Sequence, residues 1–565
     1  MFNVATTGHT TRFSALAPDQ REAYLRHWAG SPIPLKRRGF QVMKRLTLLY
    51  GCGVDGSPYW DVIGYQRPTL DPPAEPAGLR LRHLRPDEVV EADACVVGSG
   101  AGGGVVAAAL ARAGKKVLVL ERAALVHEDQ MDWHELAGYA AFYLDRGIAS
   151  TQDRAIAILA GSAVGGGTLV NWTTSLRLPP VIRQEWRQAG VEDLDDHYDA
   201  VEQRLDIDLD ETELNGPNSR LRQGAERLGY SYLLTPRNVH GCGDCGACGF
   251  GCRRGAKQST MRTYLVDACS EGAEVADGAE AWRIETSGGR VKGVVVRVAG
   301  GEARVRAPIV AVAGGSILSP ALLLRSGIAP EQAGRHLHFH PTTAVVGIYP
   351  DQVNGWRGPP QGVVINEFFE LDAGYGFIIE CPAVPPGILA ASLPWWSAQQ
   401  FQELLGEAGR MAAFITLVRD RDGGRVRVDR SGHAQVDYEL GDLERRHMVR
   451  AITEAARLHQ AAGAERLGTV HTPPLWTDAA GAESFLAEVA RRGVEENRLG
   501  LFTAHQMGSC RIGTSARNAV ADPDGKIWGV AGLYVTDASA FPTASGVNPM
   551  LTTMALARRT ASRIS

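Results

Sequence analysis

The stretch Ala94-Cys95-Val96-Val97-Gly98-Ser99-Gly100-Ala101-Gly102-Gly103 decides the fold of this chain. A short apolar strand runs directly into a G-x-G-x-x-G turn, an alanine-rich helix follows, and a second apolar strand ends at Glu121. In such a βαβ unit Gly98 permits the tight turn, Gly100 lets the backbone approach a pyrophosphate, and Gly103 lets the helix pack close to the strand. The helix N-terminus faces the phosphates, and Glu121 can accept hydrogen bonds from ribose hydroxyls. The stretch predicts a Rossmann-like dinucleotide site and leaves FAD and NAD both open.

The composition is that of a folded protein with a sizeable core. The chain has 565 residues, of which 44% are hydrophobic and 22% charged, and this length allows roughly two to four domains. The 59 basic and 63 acidic residues give a net charge of −4, so we expect no nucleic-acid partner. We identify no signal peptide and no apolar stretch long enough to cross a membrane, and we therefore expect a cytoplasmic protein. The sequence leaves the oligomeric state open.

Four of the nine cysteines crowd into one glycine-rich segment with the spacing C-x2-C-x2-C-x3-C, namely Cys242, Cys245, Cys248 and Cys252. This is the spacing with which bacterial ferredoxins bind iron–sulfur clusters, although Arg253 stands where a proline usually follows. Zinc sites of four cysteines usually come as separated pairs, and a reducing compartment disfavours disulfides. The spacing predicts an iron–sulfur cluster, [4Fe–4S] or [3Fe–4S], with zinc, disulfides and free thiols as alternatives.

Further motifs resemble one family of flavoenzymes. Residues 165–171 (GGGTLVN) resemble the flavin-contacting turn of the glucose–methanol–choline (GMC) oxidoreductases, and residues 315–328 resemble the second signature of that family. The segments 505–513, 534–539 and 548–549 are similar to its closing module. Within the family, the segments that resemble the long-chain fatty alcohol oxidases are 28–65, the cysteine-rich stretch ending at Lys257, 338–341 and 417–421.

The resemblance implies an α/β fold (α+β overall). A Rossmann-like FAD-binding domain is joined to a substrate domain in which helices flank an antiparallel β-sheet. We accordingly predict an N-terminal helical extension and linker (1–88) and a first part of the FAD-binding domain (89–344) with a cysteine-rich insertion (240–256). A substrate-binding domain (345–496) and a closing segment of the FAD-binding domain (497–565) follow.

The resemblance also implies which residues bind FAD. Those expected to hold the adenosine diphosphate half are Gly98, Gly100, Gly103 and Glu121, with the backbone of Val275 at the adenine. Those expected along the isoalloxazine ring are Gly166, Gly167 and Asn171, and those expected at the ribityl–pyrophosphate portion are Asp537 and Ala538. Some family members bind flavin covalently through a histidine where this chain has Val170. We therefore expect non-covalent FAD.

His505 and Asn548 match the two active-site positions of the family. Imidazole is the side chain best suited to take a proton near neutral pH, whereas Asn548 can donate to the substrate oxygen but cannot hold its proton. Glu380 lies in an apolar strand, a costly place for a carboxylate, and could help with the hydroxyl proton; a paired structural carboxylate is the alternative. His336, His338 and His340 alternate, but the resemblance indicates a structural His-Pro segment rather than a metal site.

The function implied by the resemblance is FAD-dependent oxidation of a hydrophobic primary alcohol, long-chain or aromatic, to its aldehyde. The flavin N5 would accept a hydride, His505 would act as base, and an iron–sulfur cluster would pass electrons to an external acceptor. The alternatives are an oxidase that produces hydrogen peroxide from O2 beside a non-redox cysteine cluster, and a sterol or secondary alcohol oxidase. The basic amphipathic N-terminal helices also allow a peripheral membrane contact.

Overall fold

The computed structural model describes residues 12–131, 135–192, 194–329 and 331–564. The α-helices in these ranges are α1 Pro18–Ala29, α2 Pro34–Gly53, α3 Pro58–Ile63, α4 Ala101–Arg112, α5 Glu135–Phe142, α6 Gly167–Val170, α7 Pro180–Gln188, α8 Asp195–Leu205, α9 Gly216–Leu228, α10 Tyr264–Ser270, α11 Gly315–Arg325, α12 Pro386–Ser392, α13 Ala398–Gly406, α14 Asp442–Ala461, α15 Ala482–Arg492 and α16 Met550–Ala561.

The strands of the same ranges build two large sheets and several small ones. They are β1 Val89–Glu91, β2 Ala94–Val97, β3 Val117–Leu120, β4 Ile156–Ile158, β5 Ile207–Asp208, β6 Tyr232–Leu234, β7 Arg237–Asn238, β8 Glu274–Ala276, β9 Glu280–Ser287, β10 Arg290–Val298, β11 Gly301–Arg306, β12 Ile309–Val312, β13 His338–Phe339, β14 Thr342–Ile348, β15 Val363–Ile365, β16 Phe377–Glu380, β17 Met411–Val418, β18 Arg425–Val428, β19 Ala434–Asp437, β20 Arg466–Thr469, β21 Leu475–Asp478, β22 Leu501–Thr503, β23 Gln506–Met507 and β24 Leu533–Val535.

The predicted Rossmann-like unit is present. Strands β24, β12, β2, β3 and β8 form a parallel sheet in that order. The central strands β2, β3 and β12 are buried along their whole length, as expected for a parallel sheet covered on both faces. Because parallel strands end at the same edge, the turn after β2 and the segments after β12 and β24 meet there. The closing segment of the chain thus contributes to the first nucleotide-binding unit.

The second large sheet is predominantly antiparallel and corresponds to the sheet that the sequence predicts for the substrate domain. Its main path is β21-β20-β14-β17-β16-β15-β6, and β22 and β4 join it beside β14. Helix α14 packs on β14, β16 and β17. The antiparallel sheet was predicted, but β4, β6 and β22 come from outside residues 345–496. The antiparallel sheet is therefore assembled from separate stretches of the chain: β22 pairs with Thr342 of β14, β4 pairs with β22, and β6 pairs with β15.

The N-terminal extension forms the predicted helices α1 to α3, and α2 has polar residues on its inner side. Arg37 is buried and donates to the carbonyl oxygen of Ser31 at 3.0 Å. On the opposite face Leu35 and Tyr50 are 71% and 66% exposed, and Val42 and Leu46 are also exposed. Residues 34–53 contain no acidic side chain. The predicted membrane contact of this face stays a prediction. No helix in the described ranges combines the length and apolar character needed to span a bilayer.

Candidate functional site

Three of the glycine-bearing segments that line the main cavity are 98–102, 166–167 and 314–315. Gly98 has φ +101°, and a Cβ there would stand 2.3 Å from the carbonyl oxygen of Ala313. Gly103 does not line the cavity; a Cβ there would stand 1.9 Å from the Gly98 oxygen, so this glycine permits close helix–strand packing. A Cβ on Gly166, whose φ is +52°, would stand 2.7 Å from the Gly100 Cα. The two turns thus meet backbone to backbone, and bare backbone N–H groups at the N-terminus of α4 face the cavity, an arrangement suited to phosphates.

Glu121 lies at the end of β3, next to the glycine turn. Its carboxylate accepts hydrogen bonds from the backbone N and the Oγ of Ser99, at 3.2 and 2.6 Å, and from the backbone N of Ala123 at 3.1 Å. Burial raises its pKa, and these donors oppose the shift. Glu121 lines the main cavity, as the sequence predicts. Part of the hydrogen-bonding capacity of Glu121 serves to fix the glycine turn itself.

Both carboxylate oxygens of Asp537 have their hydrogen-bonding capacity filled by donors within the protein. One oxygen accepts from the Gly315 backbone N at 2.7 Å and from Ser319 Oγ at 2.5 Å. The other accepts from the backbone N and the Oγ of Ser539. Four donors saturate a carboxylate. Asp537 therefore joins the N-terminus of α11 to the closing segment, and Ala538, like Asp537, lines the cavity. Their direct contact with a cofactor stays a prediction.

The sequence predicts that the backbone of Val275 contacts the adenine, but the structure places Val275 elsewhere. Val275 is fully buried in β8 and does not belong to the residues that line the main cavity. Its backbone N donates to the Arg80 oxygen and its oxygen accepts from the Arg82 N, both at 2.9 Å. Because residues 80–82 add a short bridge along β8, both backbone groups of Val275 are occupied. The lining residues at this end are instead Glu121, Arg122 and 279–281.

Asn171 follows helix α6 and lines the cavity together with Gly166 and Gly167. Its Nδ2 contacts the sulfur of Met550 at 2.8 Å, and its Oδ1 is buried without a hydrogen-bond partner among the described residues. An unpartnered buried acceptor is costly unless a ligand satisfies it. Val170, where covalent relatives carry histidine, also lines the cavity.

The two predicted active-site residues, His505 and Asn548, come together on the wall of the same cavity. His505 precedes β23, and Asn548 precedes α16. Burial lowers the pKa of His505 to about 4, so the imidazole is neutral at pH 7. The Oδ1 of Asn548 is buried without a partner among the described residues. His505 Nδ1 lies 2.9 Å from the Nδ1 of His340, a contact that the sequence did not predict.

Glu380 lies at the end of β16, fully buried and behind the cavity wall. It accepts a hydrogen bond from Gln361 Nε2, and the Asn548 side chain also interacts with it. Burial raises its pKa to about 8 against the effect of these two amides. Gln361 and Asn548 line the cavity, whereas Glu380 does not. The predicted carboxyl group is thus a largely protonated acid at pH 7 with only amides beside it, and it forms no ion pair in the described part of the chain.

These features fit FAD. The glycine turns and the start of α4 offer the backbone donors that a pyrophosphate needs, and Glu121 lies where an adenosine ribose would follow. The cavity continues without interruption from these turns past Asn171 to His505 and Asn548. Asn171 and Asn548 line this cavity, and the Oδ1 of each is buried without a hydrogen-bond partner among the described residues, so a bound ligand could satisfy them. One elongated ligand can therefore occupy the nucleotide end and present its reactive ring to the two active-site residues.

The four clustered cysteines line a separate small cavity. None of the nine cysteines, all within the described ranges, forms a disulfide. In the described residues no set of three or more His, Cys, Asp or Glu side chains is placed to hold a metal ion, so the structure gives no support for a metal at the four cysteines, whether zinc or an iron–sulfur cluster, or for a metal at His336, His338 and His340.

Two buried cations stand beside these cysteines. Lys257 donates to the carbonyl oxygens of Leu169, Asn171 and Cys248 at 2.8, 2.6 and 2.7 Å. The Nη2 of Arg237 lies 3.9 Å from Cys242 Sγ. Both cations are almost wholly buried, and in the described part of the chain neither is paired with a carboxylate. Lys257 also connects the backbone of Asn171, at the main cavity, to the backbone of Cys248, at the small one.

Comparison with family models matches residues 139–342 and 420–557 to the N- and C-terminal parts of the GMC oxidoreductase family. Two curated relatives from Arabidopsis thaliana are long-chain-alcohol oxidases. FAO4B is 33% identical and FAO3 is 30% identical, each over 98% of this chain and 83% of the relative. A GMC-type oxidoreductase of Mycobacterium tuberculosis, Rv0492c, is 35% identical over 83% of this chain and 75% of its own length.

Solved structures show the same fold. Pyridoxine 4-oxidase from Mesorbium loti superimposes with a TM-score of 0.63 at 20% identity, covering 83% of this chain and 98% of that one. A formate oxidase gives a TM-score of 0.62 at 15% identity, covering 84% of this chain and 98% of that one. The expected α/β architecture is confirmed, and the sequence matches establish descent. The chain belongs to the GMC oxidoreductase family and is an FAD-dependent oxidoreductase.

Proposed function

We propose that this enzyme oxidises a hydrophobic primary alcohol, long-chain or aromatic, to its aldehyde. The observation that carries the proposal is that His505 and Asn548 share one continuous cavity with the FAD-binding turns. The wall of this cavity includes apolar side chains from β17, β22, α6 and the residue after β4, namely Ile415, Leu417, Phe502, Val170 and Leu159. Such a wall suits an alkyl or aromatic group and leaves a hydroxyl to be held by His505 and Asn548. The long-chain-alcohol oxidases among the relatives support the same substrate class.

The reaction removes a hydride from the alcohol carbon and a proton from its hydroxyl. Bound FAD supplies the hydride acceptor at its N5. The residues of this chain orient the hydroxyl and take the proton, and two side chains are candidates for the second task. His505 contacts the cavity directly and was predicted as the base. Glu380 lies behind Gln361 and Asn548 and can accept a proton only in its carboxylate form.

A direct test mixes the FAD-loaded enzyme with alcohols in the absence of oxygen and follows the flavin absorbance. We expect 1-dodecanol or benzyl alcohol to bleach the flavin at least about tenfold faster than glucose, because an apolar wall cannot satisfy the other sugar hydroxyls. Faster bleaching by cholesterol than by either alcohol would support the sterol alternative. If no alcohol bleached the flavin, the proposal would be rejected.

We also propose that Cys242, Cys245, Cys248 and Cys252 hold an iron–sulfur cluster, which would supply one-electron transfer to an external acceptor. Buried cations are costly unless a negative group compensates them. Lys257 and Arg237 lack carboxylate partners in the described residues, and cluster-bound thiolates would supply that negative charge. Backbone N–H groups already point at two sulfurs, from Ala247 to Cys245 at 3.5 Å and from Lys257 to Cys252 at 3.4 Å. Without a cluster, O2 would be the acceptor and hydrogen peroxide the product.

The cluster proposal makes a chemical prediction independent of turnover. Anaerobically purified protein should contain about four acid-labile sulfides per chain, with about four iron atoms for a [4Fe–4S] cluster or about three for a [3Fe–4S] cluster. Replacing all four cysteines by serine should remove both, whereas Cys269→Ser, at a buried cysteine of α10, should leave both unchanged. Protein that lacks iron and sulfide when prepared anaerobically, yet produces peroxide in proportion to the alcohol consumed, would establish the oxidase alternative.

A further inference from the structure

The register of one short strand pair places two histidines side by side. Strand β13 pairs antiparallel with β23, His338 opposite Met507 and Phe339 opposite Gln506. Continued by one residue, this register sets His340 opposite His505. The two rings meet at right angles, with their Nδ1 atoms 2.9 Å apart. One of the two nitrogens must therefore carry a proton and the other must accept it.

The backbone decides which nitrogen is which. The N–H of Gly546 donates to His340 Nε2 at 3.0 Å. A backbone N–H can only donate, so Nε2 of His340 carries no proton, and the neutral ring is protonated at Nδ1. Turning the ring over would place carbon atoms at both contacts, so the orientation is fixed by its two partners. His340 consequently donates to Nδ1 of His505.

The surroundings keep this pair neutral. Burial holds the pKa of His340 well below its usual range, and His505, Arg419 and His338 act in the same direction. Arg419 is itself paired with Glu185, and His338 lies 3.2 Å from Asp420. Glu185 and Asp420 thus pair with Arg419 and His338, and neither carboxylate contacts His340 or His505.

From this chain of contacts we infer that His340 is a positioning residue that holds His505 in the tautomer with its proton on Nε2. The inference rests on the proposed alcohol oxidation. His505 lines the cavity, and its Nε2 has no partner among the described residues, so this N–H is available to the alcohol oxygen. In its neutral form His505 then donates a hydrogen bond to the hydroxyl instead of accepting the hydroxyl proton.

His340 also joins the two halves of the active site. Gly546 lies two residues before Asn548, and its φ of +67° together with a Cβ position 2.8 Å from the Phe369 ring restricts this site to glycine. One imidazole thus fixes both the ring of His505 and the backbone that presents Asn548. Because the neutral ring already carries its proton on Nε2, His505 cannot take the hydroxyl proton at that nitrogen.

The tautomer can be measured in the FAD-loaded enzyme labelled with ¹⁵N-histidine. Two-bond ¹H–¹⁵N spectra distinguish protonated from unprotonated ring nitrogens, and the signals missing from His505→Gln identify His505. We expect a protonated Nε2 and an unprotonated Nδ1 between pH 6 and 8. In His340→Asn the side-chain amide can still donate to His505, so the pattern should persist. In His340→Leu the donor is lost, and the Nδ1–H tautomer should appear.

A wild-type spectrum with the proton of His505 on Nδ1 would overturn the inference, and so would a His340→Leu spectrum identical to that of the wild type. Should the leucine variant fail to retain FAD, the wild-type spectrum still decides. The measurement needs no substrate. A failure of the proposed alcohol oxidation would therefore show in flavin bleaching and leave the tautomer result standing.

Discussion

His505→Ala is expected to slow the reduction of bound flavin by alcohol about 10³-fold while the protein still binds FAD. The side chain lines the cavity but belongs to none of the glycine turns that would hold the nucleotide. Loss of one group that donates to, or accepts from, the reacting oxygen typically costs about 10²–10⁴-fold in rate. The measurement is single-turnover absorbance of the flavin without oxygen, with FAD content determined on the same sample.

Two further variants give this prediction its control. His83→Ala removes a side chain that is 82% exposed and should leave the rate unchanged. His505→Gln keeps an amide that can donate at the place of Nε2 but cannot hold a proton. If His505 acts as a donor, glutamine should recover about tenfold of the rate lost in alanine; if it acts as the base, glutamine should be as slow as alanine. Full activity of His505→Ala would contradict both roles.

The nucleotide end was predictable because its signals are local. A glycine with positive φ, such as Gly98, and a glycine under a crossing backbone, such as Gly103, are required by the turn itself, and the turn is contiguous in sequence. The same holds for the β2–α4–β3 unit, since each element follows directly on the last. His505 and Asn548 could be placed because the resemblance covered their motifs, and the structure brings both to one cavity.

Other features depend on contacts between distant segments, which no motif encodes. The carboxylate of Asp537 is saturated by donors of α11 and of its own turn, and Val275 is covered by residues 80–82. The antiparallel sheet likewise includes β4, β6 and β22 from outside the predicted domain, because strand pairing between distant segments is not encoded by a local motif. His340 could have been found from its sequence only by knowing that β13 pairs with β23. An alternating run of three histidines was visible, but it suggested a shared strand face, whereas His336 has φ +57° and leaves the strand.

In the wild type we expect the rate of flavin reduction to rise between pH 7 and pH 9, and we expect Glu380→Gln to abolish that rise. Burial raises the pKa of Glu380 to about 8, so about a tenth of the groups are carboxylate at pH 7 and about nine-tenths at pH 9. If Glu380 accepts the hydroxyl proton, the rate should increase about tenfold over this range. If His505 is the base, its pKa of about 4 predicts a rate independent of pH above about 5.

Glutamine keeps the shape and can still hydrogen-bond with Gln361 and Asn548, but it cannot accept a proton. We therefore expect the variant to be slow and flat with pH, while Glu367→Gln, at an exposed carboxylate beside β15, follows the wild type. Stability supplies an independent check. The neutral acid stabilises the folded state at low pH, and this contribution is lost as the pH rises through about 8. The melting temperature of Glu380→Gln should accordingly fall less between pH 6 and pH 9 than that of the wild type. A flat wild-type rate profile, or a glutamine variant as fast as wild type at pH 9, would return the role of base to His505.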